Sequence, residues 1–312
     1  MEGALRWTPA RGWRRTLKNH LLFFVARALT AALRLLPARL ALALGSGVGL
    51  LAWALAGRER RRALSNLRRS DLGLGERAAR RLVREVFVRL GRSAMECIAI
   101  HELRGKIDLP DGPVRFAPGA KARLEEALSE GKGVLFVTGH FANWELMAAA
   151  VARVGPVHVL ARGSYDPRFT RIIERFRLDS GVAPIWVELP GHLRRAIRAL
   201  EGGAILGVLH DQPAKSGGVV HSFLGQPAPT TTLAAGLARA TGAAVIVGHS
   251  SRSADGALYV QIERIELDNC ERKDEALRAG SEVLTRELER AVRSNPCDWL
   301  WTLDRWRTEN MN

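Results

Sequence analysis

Between Leu103 and Ile265 short apolar runs alternate with longer amphipathic stretches, and Gly, Pro or Asp punctuates the joins. Runs of about five apolar residues suit buried strands, while apolar positions recurring every three or four residues suit helices laid on a sheet. The pattern predicts strands at Val114–Phe116, from Val134 to the turn at Thr138-Gly139, and at Val157–Ala161, Ala183–Val187, Ala204–Leu209, Ala243–His249 and Leu258–Ile265. It predicts helices at Ala120–Glu130, Met147–Val154, Asp166–Gly181, His192–Glu201, Thr230–Thr241 and Lys273–Arg293. Lys215–Pro229 reads as a glycine-containing loop, mobile at Ser216-Gly217-Gly218, and Asn295–Arg307 as a Trp-rich tail. Strand and helix in alternation are the mark of an α/β domain, so the expected fold is a mixed, mostly parallel central sheet flanked by helices.

The pattern changes upstream. Met1–His20 is basic, with Arg11, Arg14, Arg15 and Lys18, and carries Trp7 and Trp13, the character of a membrane-interface leader. Leu21–Pro37 reads as an amphipathic helix whose Arg27 and Arg34 argue against a cleaved signal peptide. Leu40–Gly57 is uncharged but contains Gly45, Gly47 and Gly49, and its length is marginal against the ~20 apolar residues a crossing needs. Arg39 precedes it and Arg58, Arg60, Arg61 and Arg62 follow. Positive charge at both ends favours a re-entrant or surface-lying helical hairpin. A single span by Leu21–Pro37 and a soluble helical layer on the core are the alternatives. The expected division is an anchoring segment over residues 1–57 and an α/β domain over residues 58–312, which opens with an Arg-dense helical stretch at Ala63–Ile100.

Composition narrows the partners. The 312 residues hold 47 Lys and Arg against 32 Asp and Glu, a net charge of +15 that suits anionic lipid headgroups, an acidic protein or nucleic acid. Aromatic residues make up only 6%, and no helix-turn-helix or other binding module stands out, which argues against nucleic acid. Cys97, Cys270 and Cys297 are widely separated, and no Cys-x-x-Cys or His-x-x-x-His spacing occurs; neither a disulfide framework, nor a metal site, nor a cofactor is expected.

Candidate chemistry gathers at strand ends. His140 lies in the turn after the Val134 strand and Glu145 at the start of the next helix, so the two can converge as a general base and the carboxylate that orients it. A core histidine beside an unrelated helix-start glutamate is the other reading. Arg162, His210, Asp211 and Gln212 also end strands, and in a parallel sheet such ends face one crevice. Arg162 and Arg177 suit phosphate oxygens through planar paired donors. Asp211 either orders an arginine or a substrate hydroxyl, or simply makes a turn before Pro213. Gln212 offers a donor and an acceptor. Thr230-Thr231-Thr232 at a helix start leaves N–H groups for an anion or oxyanion, as do backbone donors near the His140 turn.

The segment Gly139-His140-Phe141-Ala142-Asn143-Trp144-Glu145 resembles the motif of the lipid A (lauroyl/myristoyl) acyltransferase branch of the lysophospholipid acyltransferase superfamily. Further points of resemblance are Arg162 to Pro167, Arg177 with Gly181, Asp211-Gln212-Pro213, Phe223-Leu224-Gly225, Thr230-Thr231-Thr232, Ala240 to Ala243, and Trp301, Arg305, Trp306 and Arg307 in the tail. The chain departs from the family pattern at Tyr165-Asp166, Pro296-Cys297-Asp298 and Leu303-Asp304. The resemblance implies a glycerol-3-phosphate acyltransferase-like fold with a helical membrane anchor. It also implies transfer of a fatty acyl chain from an acyl carrier protein thioester to a hydroxyl of a lipid A precursor or related glycolipid. His140 and Glu145 would be catalytic, and Arg162, Arg177, Asp211, Gln212, Asn143 and Thr230 would bind substrate. Such an enzyme works at the bacterial inner membrane with its catalytic domain on the cytoplasmic face, in contact with membrane lipids. Competing readings are an acyl-CoA-dependent enzyme acting on a lysophospholipid, phosphatidylinositol mannoside or amino-lipid, and a non-catalytic basic protein.

Overall fold

The computed structural model describes residues 20, 23–24, 27–28, 30–33, 35–164, 166–214, 218–268 and 270–307. The basic leader with Trp7 and Trp13, Arg34, Tyr165, and Ser216-Gly217 of the expected mobile loop lie outside them.

After Pro37 the chain forms helix α1 (Ala38–Leu55) and, beyond a sharp bend at Ala56, α2 (Gly57–Arg69) and the long α3 (Glu76–Ile98). Glycine decides how α1 packs. A Cβ at Gly49 would sit 2.3 Å from the Phe87 carbonyl oxygen, and one at Gly91 would sit 2.2 Å from that of Gly45, so α1 and α3 meet backbone to backbone. The other face of α1 exposes Leu40, Leu44, Val48, Leu51 and Leu55 at helical intervals. At its C-terminal end the Arg60 guanidinium donates to the carbonyls of Trp53 and Ala54 and stacks over the Trp53 ring, satisfying helix-end acceptors and the dipole. Among the described residues no single helix is long and apolar enough to cross a membrane; α1 and α2 pass that test only as a pair bent by 86°.

The α/β part then runs β1 (Val114–Phe116), α4 (Ala120–Ser129), β2 (Val134–Thr138), α5 (Trp144–Val151), β3 (Val157–Ala161), α6 (Pro167–Asp179), β4 (Val182–Trp186), α7 (His192–Glu201) and β5 (Ile205–Leu209). It continues with β6 (Val219–Phe223), β7 (Gln226–Thr230), α8 (Leu233–Thr241), β8 (Ala244–Arg252), β9 (Leu258–Ile265) and α9 (Lys273–Ser294). Seven strands form one sheet in the order β1-β9-β8-β2-β5-β3-β4, parallel throughout except for the β8–β9 pair. This is the mixed, mostly parallel sheet the alternation predicts.

Every residue of the central strand β2 is buried, because both sheet faces are covered. Leu135 and Val137 face a core built with α3, α7, α8, α9 and the tail tryptophans; Val134 and Phe136 face a second core built with α4 and α5. A strand buried on both sides has no polar face, which is why it reads as an unbroken apolar run.

Two expectations are corrected here. The end of the expected Lys215–Pro229 loop is the antiparallel ribbon β6–β7, closed by Leu224 and Gly225 at φ 51° and 75°. Positive φ at both central residues is what a tight hairpin turn with matching twist requires. Pro227 and Pro229 conceal the second strand; a two-stranded ribbon tolerates them because one edge of each strand needs no ladder donor. Consequently Thr230 ends β7, and α8 starts three residues later at Leu233.

Candidate active site

Register brings the central pair together. Strands β2 and β5 are parallel neighbours with Thr138 opposite Leu209, so His140 and Asp211, each two residues further on, leave the same edge of the sheet side by side. Gly139 makes the close approach possible, since a Cβ there would lie 2.8 Å from Asp211 Oδ2. The Asp211 carboxylate accepts three hydrogen bonds: from His140 Nδ1 at 2.9 Å, from the His140 backbone N–H at 2.7 Å, and from Trp299 Nε1 at 2.9 Å. A carboxylate acceptor at Nδ1 fixes the proton there and leaves Nε2 with its lone pair. The Gln212 side-chain nitrogen lies 3.5 Å from Nε2, and the Trp144 ring meets the imidazole edge to face at 4.9 Å.

The tail holds the His140 turn from behind. Leu300 N–H donates to the His140 carbonyl, Ala142 N–H donates to the Asp298 carbonyl, and Phe141 bridges to Trp299. Asp298 is itself buried, taking Arg89 on one oxygen and the Arg252 backbone N–H on the other. These contacts sustain Ala142 at φ 42°, a conformation that costs an L-residue free energy unless its surroundings enforce it.

The partner of the imidazole therefore differs from the expected one: Asp211, not Glu145, binds Nδ1. Glu145 turns to α6 and takes a two-pronged ion pair from Arg177, at 2.9 Å and 2.5 Å. Arg177, expected to meet substrate oxygens, gives its Nε and one terminal nitrogen to this carboxylate. Asn143 is 2% exposed and serves as the N-cap of α5: its Oδ1 accepts from Leu146 N–H while its Nδ2 donates to Glu96 and to the Ser93 carbonyl. Thr230 is fully buried, and its hydroxyl accepts from Arg305 and donates to the Ala228 carbonyl. Neither Asn143 nor Thr230 is open to a substrate. The expected oxyanion donors of the turn are also committed, since the N–H groups of His140, Phe141 and Ala142 each have an internal acceptor. Arg162 stands exposed at the end of β3, 3.9 Å from Glu188, at the rim. Gln212, beside the free imidazole nitrogen, is where a substrate-binding residue is wanted.

Electrostatics follow the geometry. Burial disfavours the imidazolium, but the charge of Asp211 and the hydrogen bond to it outweigh that, with help from Glu145, and hold the His140 pKa above the ordinary histidine value. Burial likewise works against ionised Asp211, yet its contacts with His140 and Trp299 keep it below the usual carboxylate range. An apolar cavity between α5 and the sheet has in its wall Trp144, the ring that meets the imidazole. Phe136, Met147, Val151, Val159, Ile205 and Gly207 line it, with Thr138, Trp144 and the Glu145–Arg177 pair also in its wall. Among the described residues no group of three or more His, Cys, Asp and Glu is placed to hold a metal ion.

The sequence carried a signal for Asp211, its matching offset beyond a strand end, but only strand pairing turns that offset into contact. Trp299 gave no signal at all, lying 88 positions from its acceptor. A family model described as bacterial lipid A biosynthesis acyltransferase matches residues 10–308 of the chain. No curated protein matches it.

Proposed function

Given that the chain belongs to the bacterial lipid A biosynthesis acyltransferase family, we propose that it moves a fatty acyl chain from an acyl carrier protein thioester to a hydroxyl of a lipid A precursor. The observation that carries the mechanism is the His140–Asp211 pair at adjacent parallel strand ends, with Nε2 free of any carboxylate and the imidazole packed on Trp144, a residue of an apolar cavity wall.

The acceptor hydroxyl approaches His140 Nε2, which removes its proton as the oxygen attacks the thioester carbonyl. Asp211 keeps the reactive tautomer and stabilises the imidazolium that forms. The tetrahedral oxyanion then collapses, the C–S bond breaks, and the thiolate leaves with the proton that His140 carried. Gln212, with its amide beside Nε2, is the neutral donor placed to steady the oxyanion or the attacking hydroxyl. The cavity between α5 and the sheet has an apolar wall that suits hydrocarbon, and at about 60 Å³ it takes only a few carbons of the acyl tail. Arg162, exposed at the rim, meets the polar part of a substrate. Glu145 acts indirectly: paired with Arg177, it fixes the start of α5 and adds to the negative field at the imidazole.

Membrane attachment at the cytoplasmic face of the inner membrane belongs to the same reading. The exposed stripe from Leu40 to Leu55 sits between Arg39 and the cluster Arg58, Arg60, Arg61 and Arg62, an apolar face flanked by charges that seek anionic headgroups.

Purified protein assayed with acyl carrier protein and CoA thioesters against a lipid A precursor tests the proposal. His140→Ala is expected to lower transfer by about 10²–10⁴-fold while the protein stays folded and vesicle-bound. Turnover at the parental rate in that variant would remove the assignment, and a clear preference for the CoA donor would replace the carrier-protein part of it.

A further inference from the structure

A second feature lies on the outer side of α6. Of that helix only Thr170 is buried, while Ile172, Ile173 and Leu178 are 41%, 38% and 53% exposed, unusual for a helix of thirteen residues beside a sheet. An open groove of about 770 Å³ is lined by this helix together with Phe23, Arg27, Ile100 and Arg104. The remaining lining residues are Arg168, Arg171, Ile172, Arg175, Phe176 and Asp179. Five arginines face one acidic residue there, against 47 basic and 32 acidic residues in the whole chain, so the cationic charge is concentrated.

The guanidinium groups are not spent on one another's neighbours alone. Arg168 is held by Asp166 and stacks over the Phe23 ring at 4.7 Å, which builds the wall, and Arg175 pairs with Asp179. Arg27 and Arg171 have no acidic partner among the described residues. Between the arginines lie Phe23, Ile100, Ile172 and Phe176. A site for an inorganic anion needs no such apolar floor, and one for a neutral hydrocarbon needs no guanidinium. The combination suits an anion joined to an acyl chain, and the volume falls in the range of ligand sites, about 300–1,000 Å³.

We propose that the groove lined by α6, Phe23 and Arg27 binds a lipid carrying a phosphate monoester. Arg27, Arg171 and Arg175 meet its oxygens, and Ile172, Phe176 and Phe23 take the start of its chain. Planar guanidinium groups pair two-pronged with phosphate oxygens, and the exposed Ile173 and Leu178 continue the apolar surface into the bilayer. The inference goes beyond acyl transfer and needs no step at His140.

Vesicle co-sedimentation with the full chain tests it. Adding phosphatidic acid to phosphatidylcholine vesicles is expected to raise binding by about 10²-fold at low salt. The triple variant R27Q/R171Q/R175Q should lose that rise and keep its melting temperature. R171K is expected to fall between, because an ammonium cannot pair two-pronged. The rise should persist in H140A, which separates this result from failure of the catalytic reading, and millimolar inorganic phosphate should not compete. An unchanged rise in the triple variant overturns the proposal. So does full competition by inorganic phosphate, which marks a free-anion site, or loss of acyl carrier protein binding with lipid binding intact, which marks an acidic-protein face.

Discussion

In the proposed reaction one imidazole governs the chemistry, and its two carboxylate neighbours act on it in different ways. Asp211 touches the ring; Glu145 reaches it only through space while holding Arg177. Because the His140 pKa is held above the ordinary value, the neutral base is reached only as pH climbs past that raised pKa, so the transfer rate should rise through it. Asp211→Asn removes the charge that raises it and leaves burial, which lowers it. The rising limb should then move to lower pH while the maximal rate drops by about 10²–10⁴-fold, as a pH–rate profile will show. Glu145→Gln should shift that limb less. Its main effect is on stability, a loss of about 1–3 kcal/mol from stranding Arg177, and Arg177→Met in the same background should recover part of it in denaturant titrations.

At the level of elements, two close approaches hold the site and its support. The first is the glycine contact between α1 and α3. Gly49→Ala puts a methyl against the Phe87 carbonyl and should cost about 1–3 kcal/mol, whereas Gly47→Ala, with nothing within 4 Å, should be nearly neutral or slightly stabilising; thermal melts of the two compare them directly. The second is the tail laid against the His140 turn. Residue periodicity revealed the main strands and helices because each has one buried face or two. It placed the α8 start too early and missed the β6–β7 ribbon, since threonines favour helix starts in general and prolines argue against strands in general. In this chain Thr230 and both prolines belong to a hairpin whose two strands are adjacent in sequence.

For the whole molecule, acid sensitivity follows from two buried histidines outside the dyad. His210 and His249 are each pushed down to about 4 by burial, and each has a ring nitrogen without a partner among the described residues. Unfolded, they titrate near 6.5. As pH falls from about 6.5 to about 4 the unfolded chain therefore binds protons that the folded chain refuses, and each histidine removes roughly 3 kcal/mol of stability across that window. Above it the full stability is present. His249→Leu should flatten the acid limb of a stability-against-pH curve. The sequence alone determined the alternating sheet architecture and the placement of His140 at a strand end, because periodicity and turn chemistry act over a few neighbouring residues, and its motifs carried the resemblance to the family. Tertiary structure alone decided which carboxylate contacts the imidazole, that a tryptophan from the tail supports that carboxylate, that Arg177 pairs with Glu145, and that Asn143 and Thr230 are buried. Those outcomes depend on which strands lie side by side and in what register, and a linear pattern carries no distance between residues that far apart.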